Sequence, residues 1–142
     1  MTNILQLLLA LVLGGIVGLE REYKRKEAGV KTYSLVSLGA CLFTILGIKL
    51  VENFAGSPGS AVDIGRIIQA VAIGVGFIGA GVVFRKEEHI EGLTTAAGLW
   101  VVAGMGILVG LGFYILAIFV SFLTLGVLAG LSVAEEKIFP EK

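Results

Sequence analysis

Asp63, Arg66 and Gln69 open an apolar stretch of the chain. Arg66, Gln69, Ile73, Gly76 and Ala80 follow at spacings of 3, 4, 3 and 4, which puts them on one face of a helix. That face is polar at its start and small further in. Asp63 stands one turn before Arg66, placed either to pair with it or to cap the helix start. An arginine buried in a membrane is costly and faces a partner or a watery cavity, whereas one at the boundary snorkels to water; both readings stand. Thr94 and Thr95 begin another apolar stretch just after Gly92, where their hydroxyls cap a helix or reach across to the neighbouring one. Asp63, Arg66, Gln69, Thr94 and Thr95 are therefore the candidate polar site or ion pathway.

Other constellations are weaker. Glu20 and Arg21 close the first apolar run and either contact Arg85, Glu87 or Glu88 or are solvated at headgroup level. His89 lies among Glu87, Glu88 and Glu91, but a single histidine in a short loop is an ordinary solvated group, and no metal or cofactor is expected. Gly74-Val-Gly-Phe-Ile-Gly79 matches GxGxxG literally, yet it lies inside an apolar run without an acidic residue about 20 positions later, so it reads as helix packing. There is no Ser/His or Cys/His pairing, no HExxH and no phosphate loop; an enzyme is not expected.

The elements that must carry these residues follow from where charge is absent. Of 142 residues, 56% are hydrophobic, 15% charged and 21 are glycine, with 11 Lys+Arg against 11 Asp+Glu. Those 22 charges fall in four clusters, at 20–31, 49–66, 85–91 and 135–142. This pattern excludes a soluble globular domain, a basic nucleic-acid binder and a disordered tail. A hydrocarbon core of about 30 Å needs about 20 helical residues, and the charge-free stretches supply helices at about 4–19, 32–51, 64–84, 93–109 and 113–133. The fold class is an all-α integral membrane protein, a bundle of five transmembrane helices occupying 1–134. A four-helix alternative bends the last long stretch. A short tail at 135–142, with no soluble C-terminal domain, completes the expected organisation.

Lysine and arginine orient the bundle. Arg21, Lys24, Arg25, Lys26, Lys31, Arg85, Lys86, Lys137 and Lys142 lie on one side and only Lys49 and Arg66 on the other. The positive-inside rule puts the N-terminus outside and the C-terminus in the cytoplasm. Cys41 is the only cysteine, so no disulfide framework is expected. Glu20–Lys24, Glu22–Lys26 and Glu27–Lys31 are i,i+4 pairs that would extend the first helix to a cap at Gly29. Tyr23 and Tyr33 occupy interfacial-aromatic positions, while Trp100, near mid-span, is expected to fill an interhelical contact. Small residues gather where membrane helices touch. Gly14, Gly18, Gly76, Gly79, Gly81, Gly126 and Gly130 are the candidate packing or dimer positions, with the first or fifth helix the expected face for a homodimer.

Gly18-Leu-Glu-Arg-Glu22, Lys26-Glu-Ala-Gly29, Lys31-Thr32 and Leu35-Val-Ser-Leu-Gly-Ala40 resemble the opening signature of the MgtC/SapB family. Asp63-x-x-Arg66 with Gln69, Gly76-Phe-Ile-Gly79-Ala-Gly81, and Gly92-Leu-Thr-Thr95-Ala-Ala97 with Leu99-Trp100 resemble the rest, in order. The resemblance adds Lys31 to the boundary cluster of Glu20 and Arg21. It departs at Thr94, where the family pattern has Asn, and at Val101, where Cys is common. It implies a multi-pass protein of the bacterial inner membrane, linked to low magnesium, acid tolerance and survival in host cells. The expected role is that of a non-catalytic regulator acting through partners such as the proton-translocating ATP synthase. The alternative is a transporter or channel for Mg2+ or another small ion. The partners expected are the lipid bilayer, a second copy and a membrane protein, but no nucleic acid.

Overall fold

The computed structural model describes residues 2–54, 63–86 and 89–131. Five helices are each long and apolar enough to cross a membrane. They are α1 (Asn3–Tyr23), α2 (Val30–Phe54), α3 (Ile64–Val82), α4 (Leu93–Gly110) and α5 (Tyr114–Leu125), the last continuing as a wider π-type turn over Gly126–Leu131. The expected five spans are present. The tail at 135–142 lies outside the described residues.

Two features differ from the expected chain path. Between α3 and α4 the chain forms a small antiparallel hairpin, β1 (Phe84–Lys86) with β2 (His89–Glu91), pairing Phe84 with Glu91 and Arg85 with Ile90. And α1 stops at Tyr23 instead of running on to Gly29. Its end is a Schellman cap: Arg25 N–H donates to the Glu22 carbonyl and Lys26 N–H to that of Arg21, both at 3.0 Å. Arg25 takes φ 52° to make this turn. The reversal from α4 to α5 uses the same motif with Gly112 at φ 87°; Gly112 N–H donates to Val109 and Phe113 N–H to Leu108. This sharp reversal separates the last two spans and removes the four-helix alternative.

The core is a tight seam of α1, α2 and α4, with α3 laid against α4 and α2, and α5 against α4 and α1. Half of the α4 span is buried, against 11% of α3. Backbone proximity makes the seam. A Cβ on Gly14 would lie 2.6 Å from the Tyr33 carbonyl oxygen, one on Gly18 2.7 Å from Val30 Cα, and one on Gly110 2.7 Å from Thr44 Cβ. Gly106 is closer still to the Ser37 carbonyl. Gly14 and Gly18 therefore pack within the subunit, as does Gly79 on Ala96, whereas a Cβ on Gly76, Gly81, Gly126 or Gly130 would meet nothing among the described residues. Trp100 is 58% exposed and faces outward, not into an interhelical contact, because α4 turns Leu99, Val102, Ala103 and Met105 to the core. At the end opposite Arg21, the buried Gln6 carboxamide donates to the carbonyls of Val109 (3.0 Å) and Gly110 (3.3 Å). Gln6 thereby supplies a donor to the Gly110 carbonyl, which the end of α4 leaves without a helical one, and a second donor to that of Val109, which already accepts from Gly112 N–H.

Candidate functional site

The early stop of α1 sets up a polar cluster. Because residues 24–29 are not helical, Glu22 and Glu27 are released from the i,i+4 pairs expected of them, and only Glu20–Lys24 forms, at 3.1 Å. Glu22 instead accepts from Val30 N–H at 2.9 Å, capping the start of α2. Glu27 reaches α4, where it accepts the Thr95 hydroxyl proton at 2.5 Å.

Arg21 lies at the centre and is 2% exposed. Its Nη1 donates to Glu20 Oε2 at 3.3 Å and its Nη2 to Thr95 Oγ1 at 3.5 Å, while Nε has no partner among the described residues. Tyr33, fully buried on α2, donates its hydroxyl to the Thr95 carbonyl at 3.1 Å. Gly98 makes room for that ring, since a Cβ there would collide with the Tyr33 hydroxyl. Lys24 Nζ, besides pairing with Glu20, donates to the Leu128 carbonyl at 3.2 Å. Thr95 thus joins α1, α2 and the 24–29 link to α4, and Lys24 adds the end of the fifth span. Glu20, Arg21, Lys24 and Glu27 sum to zero charge, so the buried Arg21 is balanced by half-buried Glu20 and exposed Glu27. Such a cluster can lock helix ends and respond to loss of one charge.

Burial raises the Glu27 pKa, but the Thr95 hydroxyl, a backbone hydrogen bond and the charges of Lys26 and Arg21 outweigh it, so the net shift is below the usual 4.5. A folded value below the unfolded one stabilises the fold above the unfolded pKa, and that contribution is lost as pH falls through the folded value. Wild type should therefore lose thermal stability faster than Thr95→Val when acidified below pH 4.5. Parallel melting curves of the two proteins from pH 6 to pH 3 (about the span of carboxylate titration) check this, and identical curves would count against it.

The remaining candidates are distributed otherwise. Asp63 accepts from Gly65 N–H at 2.8 Å and so caps α3; among the described residues it makes no side-chain pair with Arg66. Arg66, Gln69, Ile73, Gly76 and Ala80 do share a face, but it is exposed. Since α3 has 19 residues, it holds Asp63 and Arg66 about 28 Å from the end where Thr95 lies. The five residues of the candidate pathway are thus not brought together. Thr95 joins Glu20 and Arg21, while Thr94 and Lys31 are exposed nearby. Glu87 and Glu88 lie outside the described residues, and no group of three or more metal-ligating side chains occurs among the described ones. Glu27 and Tyr33 were not legible as site residues. The nearest sequence signal was that Glu27 lies inside one motif of the resemblance and Tyr33 directly after another, Lys31-Thr32.

The model of the MgtC family matches residues 7–137. The chain belongs to the MgtC family. It is 40% identical over 125 residues to YhiD of Escherichia coli (strain K12), provisionally named a magnesium transporter, covering 88% of this chain and 58% of that protein. Protein MgtC of Salmonella typhimurium (strain LT2) is 40% identical over 97 residues, 68% of this chain and 38% of its own. A Haemophilus influenzae protein of undescribed role is 45% identical over 97 residues, 67% of this chain and 41% of its own. The chain spans less than two thirds of the length of these relatives. No solved structure matches. In this MgtC-family chain, the separate stretches that carry the resemblance, around Glu20–Arg21, Glu27, Tyr33 and Thr95, converge on one hydrogen-bonded cluster.

Proposed function

We propose that this MgtC-family chain is a multi-pass protein of the bacterial inner membrane that acts without catalysis, through protein partners, in magnesium limitation, acid stress or energy and ion homeostasis. The Arg21 cluster faces the cytoplasm and the N-terminus lies outside, the orientation favoured by the Lys and Arg of the 20–31 segment and the hairpin. The observation that carries the regulatory reading is the closed α1–α2–α4 seam, where backbone meets backbone at Gly14, Gly18 and Gly106. Magnesium needs several oxygen ligands and usually a carboxylate. Within the seam the buried polar groups include Ser37 and Thr44, and Thr44 already donates to the Ala40 carbonyl at 2.8 Å. A second copy docks on α5, where a Cβ on Gly126 or Gly130 would meet nothing among the described residues, and the proton-translocating ATP synthase is a candidate membrane partner.

The provisional name of YhiD favours a transport reading instead, and flux separates the two. Purified protein in liposomes loaded with a magnesium-sensitive dye should take up no more Mg2+ than empty vesicles. Uptake above that baseline, abolished by Arg21→Gln or Arg66→Gln, would overturn the regulatory proposal.

A further inference from the structure

A groove of about 770 Å3 runs between α2 and α3 on the outside of the bundle. Its walls are apolar, with exposed Leu35 and Phe43 on α2 and Ile78 on α3. Its floor is low at Gly39 and Gly74, where an added Cβ would meet nothing within 4 Å. The lining on α2 runs from Lys31 to Phe43, about 18 Å of helix, close to the roughly 15 Å that half of a hydrocarbon core measures. Lys31 and Thr32 stand at one end, at the start of α2, and Arg66 at the other. Two amides of that helix start are occupied, Val30 N–H by Glu22 and Tyr33 N–H by the Gly29 carbonyl. Lys31 is exposed, without an ion pair among the described residues, and stands where an anion would meet it at the mouth.

An apolar channel one leaflet deep, with a cation at its mouth, complements a lipid with an anionic headgroup. Basic pockets between membrane helices select such headgroups, and the small residues of the floor leave space for a chain. We propose that the α2–α3 groove is a binding site for one anionic phospholipid of the leaflet on the Lys31 side, its phosphate at Lys31 and an acyl chain lying over Gly39 and Gly74.

The test is native mass spectrometry of the full chain from micelles containing phosphatidylglycerol or phosphatidylethanolamine. The wild-type protein should retain one phosphatidylglycerol in preference to phosphatidylethanolamine. Lys31→Gln should weaken that preference about fivefold, the equivalent of about 1 kcal/mol from one lysine near an anionic surface. Gly74→Leu, whose side chain enters empty space, should abolish retention of the lipid while leaving the melting temperature close to wild type. Equal retention of the two lipids, or retention unchanged by Gly74→Leu, would overturn the proposal. Cysteines at Gly74 that join two copies in a Cys41→Ser background would overturn it too, assigning the groove to a second subunit. Should Gly74→Leu fail to fold, Gly39→Leu fills the same floor from α2 and carries the same expectation.

Discussion

Gly106→Ala should destabilise the protein by about 1–3 kcal/mol, as overpacking of a close-fitted core does, while Gly104→Ala, two residues away, should be neutral or stabilising. The two substitutions add the same methyl to the same helix. At Gly106 it collides with the Ser37 carbonyl and stands 3.0 Å from Ala40 Cβ, so α2 and α4 must separate. At Gly104 it meets nothing, and the gain in helix preference of about 0.5–1 kcal/mol remains. A carbonyl on a helix cannot turn aside as a side chain can, so the strain spreads to both backbones. Melting temperatures of the purified variants in one detergent check the prediction. Similar values for both would mean that the α2–α4 contact is looser than the structure has it.

Arg21→Gln should have a comparable or larger effect, a loss of about 2–4 kcal/mol. Removing one partner of a buried ion pair leaves the other charge uncompensated, which costs about 3–5 kcal/mol when nothing else is near. Here Lys24 still pairs with Glu20 at 3.1 Å, which moderates the loss. Arg21→Lys should recover only part of it. A lysine ammonium is a single point of charge, whereas the guanidinium reaches Glu20 with one nitrogen and Thr95 with another. A double-mutant cycle of Arg21→Gln with Glu20→Gln should give a coupling of at least about 1 kcal/mol, since contacting residues are not additive. Arg21→Gln within about 0.5 kcal/mol of wild type, the range of ordinary surface changes, would show that Arg21 is solvated.

These two predictions concern different kinds of information in the chain. The seam is partly readable in advance, because Gly14-x-x-x-Gly18 has the spacing of a helix contact. What spacing does not say is which neighbour the face meets. The face of α1 meets α2 in the same subunit, and the same spacing at Gly126 and Gly130 is left open. Of the α4 glycines that close the seam, Gly106 and Gly110 repeat that same spacing, while Gly98, eight residues before Gly106, is marked by no short motif.

The cluster illustrates the other limit. Glu20 and Arg21 were readable as a boundary pair from their position at the end of an apolar run. Glu27 was assigned to a helical pair with Lys31, which depends on α1 continuing to Gly29. The backbone stops six residues sooner, at Tyr23, through a cap that places Arg25 in the left-handed region. Arginine is not the residue usually found there, so helix-end rules pointed to Gly29 instead. Once the helix stops, Glu27 swings to Thr95 and Tyr33 becomes a buried donor instead of an interfacial ring.

The clustering of 22 charges at four places determined by itself that the chain belongs in a membrane, with lengths that suit five spans, and the turn at Gly112 decided against four. Hydrophobic length against bilayer thickness is a one-dimensional constraint, and a sequence carries it in full. Those 22 charges also suggested where a site lies, and there the reading divided. Asp63, Arg66 and Gln69 lie toward the start of α3 while Thr94 and Thr95 begin α4 beside its other end, so the five form no single site. Only the tertiary structure decided that Thr95 belongs with Glu20, Arg21, Glu27 and Tyr33, residues up to 75 positions apart. Their meeting depends on the angle at which one helix ends and on which helices the glycines of α1 and α4 meet, and neither is a property of any local stretch of sequence.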